Sequence, residues 1–152
     1  QGIDIQTVGS GFGAAPQSGL WKLSPTADAG GNTEEFSMDL TGTLVAGQTY
    51  DLSFYIERLV SGVFDGGRAE IGVSTSAFSF GTLVYTSGLA VDGWTHESTS
   101  FVAPIAATHL TVRVDNAADR WIGLDNFTLE VPTPGTGALL GLGGMVVLRR
   151  RR

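Results

Sequence analysis

Apolar and polar residues alternate with period two in short runs along most of this chain. Residues 3–8 read Ile-Asp-Ile-Gln-Thr-Val, and at 35–40 Glu35, Ser37 and Asp39 alternate with Phe36, Met38 and Leu40. Residues 49–58 repeat the pattern with Tyr50, Leu52, Phe54 and Ile56 on one face. Successive side chains of a strand point to opposite faces, so each run predicts a strand with one side in a core and the other in water. Candidates at 20–23, 68–74, 82–85, 94–102, 110–115 and 121–131 bring the number to nine. Stretches rich in Gly, Ser, Ala and Pro, such as 9–19, and the turn-rich 24–33, read as connections. No long stretch before the C-terminal tail has a helical period, and no repeat of fixed length appears, which excludes propellers and solenoids.

Antiparallel strands in this number close two sheets over one core, and the long, uneven connections at 9–19, 59–67 and 115–120 suit Greek-key crossings. The fold expected for residues 1–130 is an all-β jelly-roll β-sandwich. A length of 152 residues is enough for one domain to bury most of its apolar surface. With no Cys, the chain has no disulfides, thiolate metal sites or Cys nucleophile.

Charge narrows the partners. Four of the nine basic residues are Arg149, Arg150, Arg151 and Arg152, which leaves five in the body against fifteen acids. Such a body repels phosphate, and it has no basic patch with interleaved aromatics, so nucleic acid is excluded as a partner.

Composition changes sharply at Pro132, which sets residues 131–152 apart as a tail. It runs Val131, Pro132, Thr133, Pro134, Gly135, then an uncharged Leu- and Gly-rich stretch, then the four arginines. The prolines hold the first part extended. Residues 137–148 would form a hydrophobic helix of about 18 Å at ~1.5 Å per residue, short against a bilayer core of ~30 Å. With arginines that favour the cytoplasmic face, this describes a short, transient inner-membrane anchor. The chain opens at Gln1 without a leader, so it is expected to be a mature exported form or a fragment.

The order of these three parts resembles the PEP-CTERM sorting signal, with Thr133 where that family's pattern has Glu. The resemblance implies sorting by an exosortase-like membrane enzyme of Gram-negative-type bacteria. The body would then be delivered to the cell surface or extracellular matrix.

Three segments of the body, 44–56, 93–104 and 122–129, resemble galactose-binding-like, carbohydrate-binding-module jelly rolls. That resemblance implies a polysaccharide partner or a purely structural role. A glycan site wants aromatic faces for sugar rings and polar groups for hydroxyls, and Trp94, Trp121, Tyr55, Tyr85, Arg58 and Arg113 are the available set. The same resemblance makes Asp125 a candidate ligand for a structural calcium, the only cofactor expected; Asp125 beside Asn126 equally suits a turn that bonds backbone amides.

Catalysis finds little support. His96 and Glu97 are strand neighbours and point to opposite faces, and His109 has no nearby carboxylate. Nucleophile elbows and helical metal pairs are missing, and nothing sets a separation between Glu34, Glu35 and Glu57 suited to glycoside hydrolysis. The expected function is that of an exported, non-catalytic surface or matrix protein. The alternative is a carbohydrate-binding module that recognises cell-surface glycans or exopolysaccharide.

Overall fold

The computed structural model describes residues 3–30, 32–59, 66–115 and 119–132. The strands in chain order are β1 (Asp4–Thr7), β2 (Trp21–Ser24), β3 (Thr26–Ala27), β4 (Glu35–Asp39), β5 (Thr49–Arg58), β6 (Ala69–Ser74), β7 (Thr82–Thr86), β8 (Thr95–Val102), β9 (His109–Val114) and β10 (Arg120–Glu130). No helix occurs among the described residues. The motif from Thr133 through Pro134 and Gly135, the apolar run with its expected helix, and Arg149, Arg150, Arg151 and Arg152 lie outside them.

The strands form two antiparallel sheets. The larger has the order β1-β2-β10-β5-β8, with β3 added against the start of β10; the smaller has the order β4-β9-β6-β7. The connections β5 to β6, β7 to β8, β8 to β9 and β9 to β10 all pass from one sheet to the other, as the expected jelly-roll sandwich requires. Each of the nine expected strands is present within a residue or two. The tenth, β3, falls in the 24–33 stretch read as a connection: two residues are too few to show a period, and tertiary pairing with Arg120 and Trp121 makes the strand.

The core is what the alternation predicts. Tyr50, Leu52, Phe54 and Ile56 of β5 are buried together with Ile71 and Val73 of β6, Leu110, Val112 and Val114 of β9, and Ile122 and Leu124 of β10. Phe54 stacks on Phe127 with centroids 5.1 Å apart and meets Tyr85 edge to face at 6.2 Å. Burying side chains of this size contributes about 1.5–3 kcal/mol each.

One irregularity shapes the larger sheet. Even-numbered residues of β10 face the core up to Leu124, whereas beyond it Phe127 and Leu129 pack against the core. The parity changes at a β-bulge between Asp125 and Thr128, where Asn126 takes φ of +54°. Asn tolerates that left-handed backbone better than most residues. Without the extra residue Asn126 and Thr128 would be driven inward; with it, Asp125 and Asn126 stay on the outside.

Candidate functional site

The outer face of the larger sheet carries the odd-numbered residues of β5, namely Asp51, Ser53, Tyr55 and Glu57. Across β8 they pair with His96 (Tyr55), Ser98 (Ser53) and Ser100 (Asp51). Across β10, Asp125 lies opposite Tyr55, Thr128 opposite Ser53 and Glu130 opposite Asp51. The result is a shallow polar floor three strands wide. At one end the Tyr55 and His96 rings lie 4.8 Å apart and tilted by 46°. At the other, Ser100 donates to Asp51 at 2.5 Å beside Glu130. The charged side chains on this floor are all carboxylates.

Residues 9–19 cross the same face and bury part of it. Lys22 and Glu57 point outward from β2 and β5, yet both side chains are fully buried, because the loop lies on them. The Lys22 ammonium donates to Glu57 Oε1 at 2.6 Å and to the carbonyls of Phe12 and Ala14, each at 2.7 Å, using all three of its protons. Glu57 Oε2 accepts the Ala14 amide at 2.9 Å. The fit depends on glycine: a Cβ at Gly123 would sit 2.8 Å from Glu57 Cγ, and one at Gly13, with φ of +66°, 2.8 Å from Glu57 Oε1.

Further contacts fasten the loop to β10 and to the entry of β8. Trp94, immediately before β8, donates its indole proton to the Ala15 carbonyl at 2.8 Å. Ser18 donates its amide to Asp125 Oδ2 at 3.1 Å and its hydroxyl to Asn126 Oδ1 at 2.5 Å, and Asn126 donates to Gln17. Phe12 packs on Trp121 with centroids 5.1 Å apart. Beyond the loop lies a second cleft of about 340 Å³ lined by Gly11, Gly13, Ala14, Arg58 and Asp92, where Arg58 and Asp92 are paired at 2.9 Å.

The six candidate glycan residues are therefore not one cluster. Tyr55 lies on the open floor, Trp94 and Trp121 hold the loop that borders it, and Arg58 lies past that loop. Tyr85 points between the sheets and donates to Glu97; burial, with that bond and the nearby carboxylate charge, pushes its phenol up to about 12. Arg113 is on the outer face of the smaller sheet, bonded to Glu70 at 2.7 Å and lying 4.0 Å from the Phe80 ring. His96, absent from the six candidates, joins the floor because its register with Tyr55 brings the two rings together.

Asp125 bonds backbone amides through both oxygens, with Asn126 donating to Oδ1 at 2.7 Å and Ser18 to Oδ2. Among the described residues no three His, Asp or Glu side chains gather closely enough to hold a metal ion. The carboxylates weighed for hydrolysis are dispersed: Glu57 is buried against Lys22, Glu34 accepts the Thr26 amide at 3.0 Å, and Glu35 is on the smaller sheet. His96 and Glu97 do face opposite ways, the first outward and the second toward Tyr85. The expectation for His109 is corrected. Its cross-strand partner is Asp39, whose carboxylate lies 2.9 Å from Nε2, while Thr108 Oγ1 lies 2.8 Å from Nδ1.

The two antiparallel sheets make the described body a jelly-roll β-sandwich. No family model and no curated protein matches the chain. Among solved structures it is similar to the xylan-binding CBM22-1 domain from Paenibacillus barcinonensis, at 15% identity and a TM-score of 0.57 over 89% of this chain and 88% of that one. A family 16 carbohydrate-binding module is similar at 17% identity and a TM-score of 0.51, covering 84% of each chain. A cyclase from Fischerella sp. TAU is similar at 16% identity and a TM-score of 0.59, covering 86% of this chain and 75% of that one. These likenesses show the fold, which binding modules share with an enzyme.

Proposed function

We propose that this chain is a non-catalytic module that binds an uncharged polysaccharide on the outer face of its larger sheet. The observation that carries the reading is the ladder Tyr55–His96, Ser53–Ser98 and Asp51–Ser100 with Thr128 and Glu130 alongside. It sets an aromatic platform beside a row of hydroxyl and carboxylate groups, the two things a sugar requires: a flat apolar face and acceptors or donors for hydroxyls. The solved binding modules of the same fold support it. The carboxylates Asp51, Asp125 and Glu130 disfavour acidic polymers such as uronates, since like charges repel at an exposed surface even through water.

Electrophoresis of the folded protein through gels containing xylan, mixed-linkage β-glucan, galactan or alginate tests the reading. Retardation by a neutral polymer that disappears in Tyr55→Ala is the expected result; retardation by alginate alone, or by none of the four, overturns it.

We also propose that the protein is exported and sorted through its PEP-CTERM-like tail by an exosortase-like enzyme, a role that does not compete with glycan binding. Val131, at the exit from β10, is 53% exposed, so β10 ends at the protein surface. Intact-mass measurement on protein recovered from its host's envelope tests the sorting role: truncation near Pro132 is expected, and a full-length mass in the matured protein counts against it.

A further inference from the structure

The loop that covers Lys22 and Glu57 also stands where a bound chain would have to continue. Its fastenings fall on successive strands: Lys22 on β2, Asp125 and Asn126 on β10, Glu57 on β5, and Trp94 at the entry to β8. It thus crosses the sheet from β2 to the start of β8 and ends the floor on that side. Nothing can pass beneath it, because Glu57 and Lys22 are fully buried and the Gly13 backbone rests on the Glu57 carboxylate.

The aromatic platform is at this closed end. Tyr55 is opposite Asp125, whose carboxylate holds the Ser18 amide, so the loop borders the platform at Ala14 and Ala15 and turns its corner at Gln17 and Ser18. Along the strand direction, a sugar stacked on Tyr55 and His96 has open floor on one side only. That floor extends from Tyr55 to Asp51, about 14 Å at ~3.4 Å per residue, the reach of a short oligosaccharide.

Resting on the glycan-binding reading, we propose that the groove is blind and takes the terminal sugars of a neutral glycan chain rather than an internal stretch. The 9–19 loop is then the specificity-determining element, and Gln17, Ser18 and Trp94 act as positioning residues for it. Preorganised walls of this kind discriminate by clash: an internal sugar would drive its next neighbour into the Ala14–Ala15 backbone.

The test is the number of protein molecules bound per glycan chain, by titration calorimetry with length-fractionated xylan, mixed-linkage β-glucan and galactan. Terminal recognition predicts one protein per chain at every length, with affinity per chain changing less than about twofold between a hexamer and a chain ten times longer. Binding that rises in proportion to chain length overturns the blind groove while leaving the glycan reading intact. No binding to any fraction of the three polymers overturns both.

Discussion

Lys22 and Glu57 meet at 2.6 Å on the outer face of the larger sheet, and neither side chain has any exposed surface. Outward-facing strand positions are ordinarily where charges are solvated, so an ion pair buried there records that something else covers the sheet. The cover is the 9–19 loop, and the pair is also its fastening, since the ammonium takes two loop carbonyls and the carboxylate one loop amide.

Removing one partner strands the other without water. Lys22→Met is expected to destabilise the fold by about 3–5 kcal/mol, the usual cost of breaking a buried pair. The double variant Lys22→Met with Glu57→Leu should recover part of that loss, because no unpaired charge remains. Urea unfolding of the three proteins checks both statements.

Phe54 is 1% exposed and contacts rings from both sheets, Phe127 in its own and Tyr85 in the other. Phe54→Ala should cost about 3–5 kcal/mol through lost burial and the cavity left behind. Phe78, 97% exposed, is the internal control, and Phe78→Ala should change the unfolding midpoint little.

Tyr85 gives a pH signature. Burial and the bond to Glu97 raise its folded pKa from 10.0 to about 12, so between those values the native state keeps a proton that the unfolded state has lost. The stabilisation is complete below pH 10 and declines as pH rises toward about 12. Tyrosinate absorbance of the folded protein should include a late step, and Tyr85→Phe should remove it.

Much of this fold was legible as alternation. Residues 49–58 read as a strand with Tyr50, Leu52, Phe54 and Ile56 inward, and that is β5. The same rule fails across β10, where an uninterrupted period of two from Ile122 would put Phe127 outside; the Asn126 bulge that corrects it depends on a backbone conformation no alternation encodes. The site was less legible for a related reason. Tyr55 could be nominated by its type, but its partner His96 is found only when the β5–β8 register is known, and Asp39 beside His109 likewise needs the β4–β9 register. Indole rings suit sugar platforms and packing alike, so residue type alone does not separate the two tasks; here Trp94 bonds the loop backbone and Trp121 packs on Phe12.

The central claim is that the outer face of the larger sheet binds neutral glycan, and affinity electrophoresis of site variants tests it most directly. On the neutral polymer that retards the parent protein, Tyr55→Ala and His96→Ala should each weaken binding by tenfold or more, about 1.4 kcal/mol or above. Arg113→Ala, on the outer face of the opposite sheet, should leave it unchanged. Equal retardation of all four proteins, or loss confined to Arg113→Ala, would contradict the account.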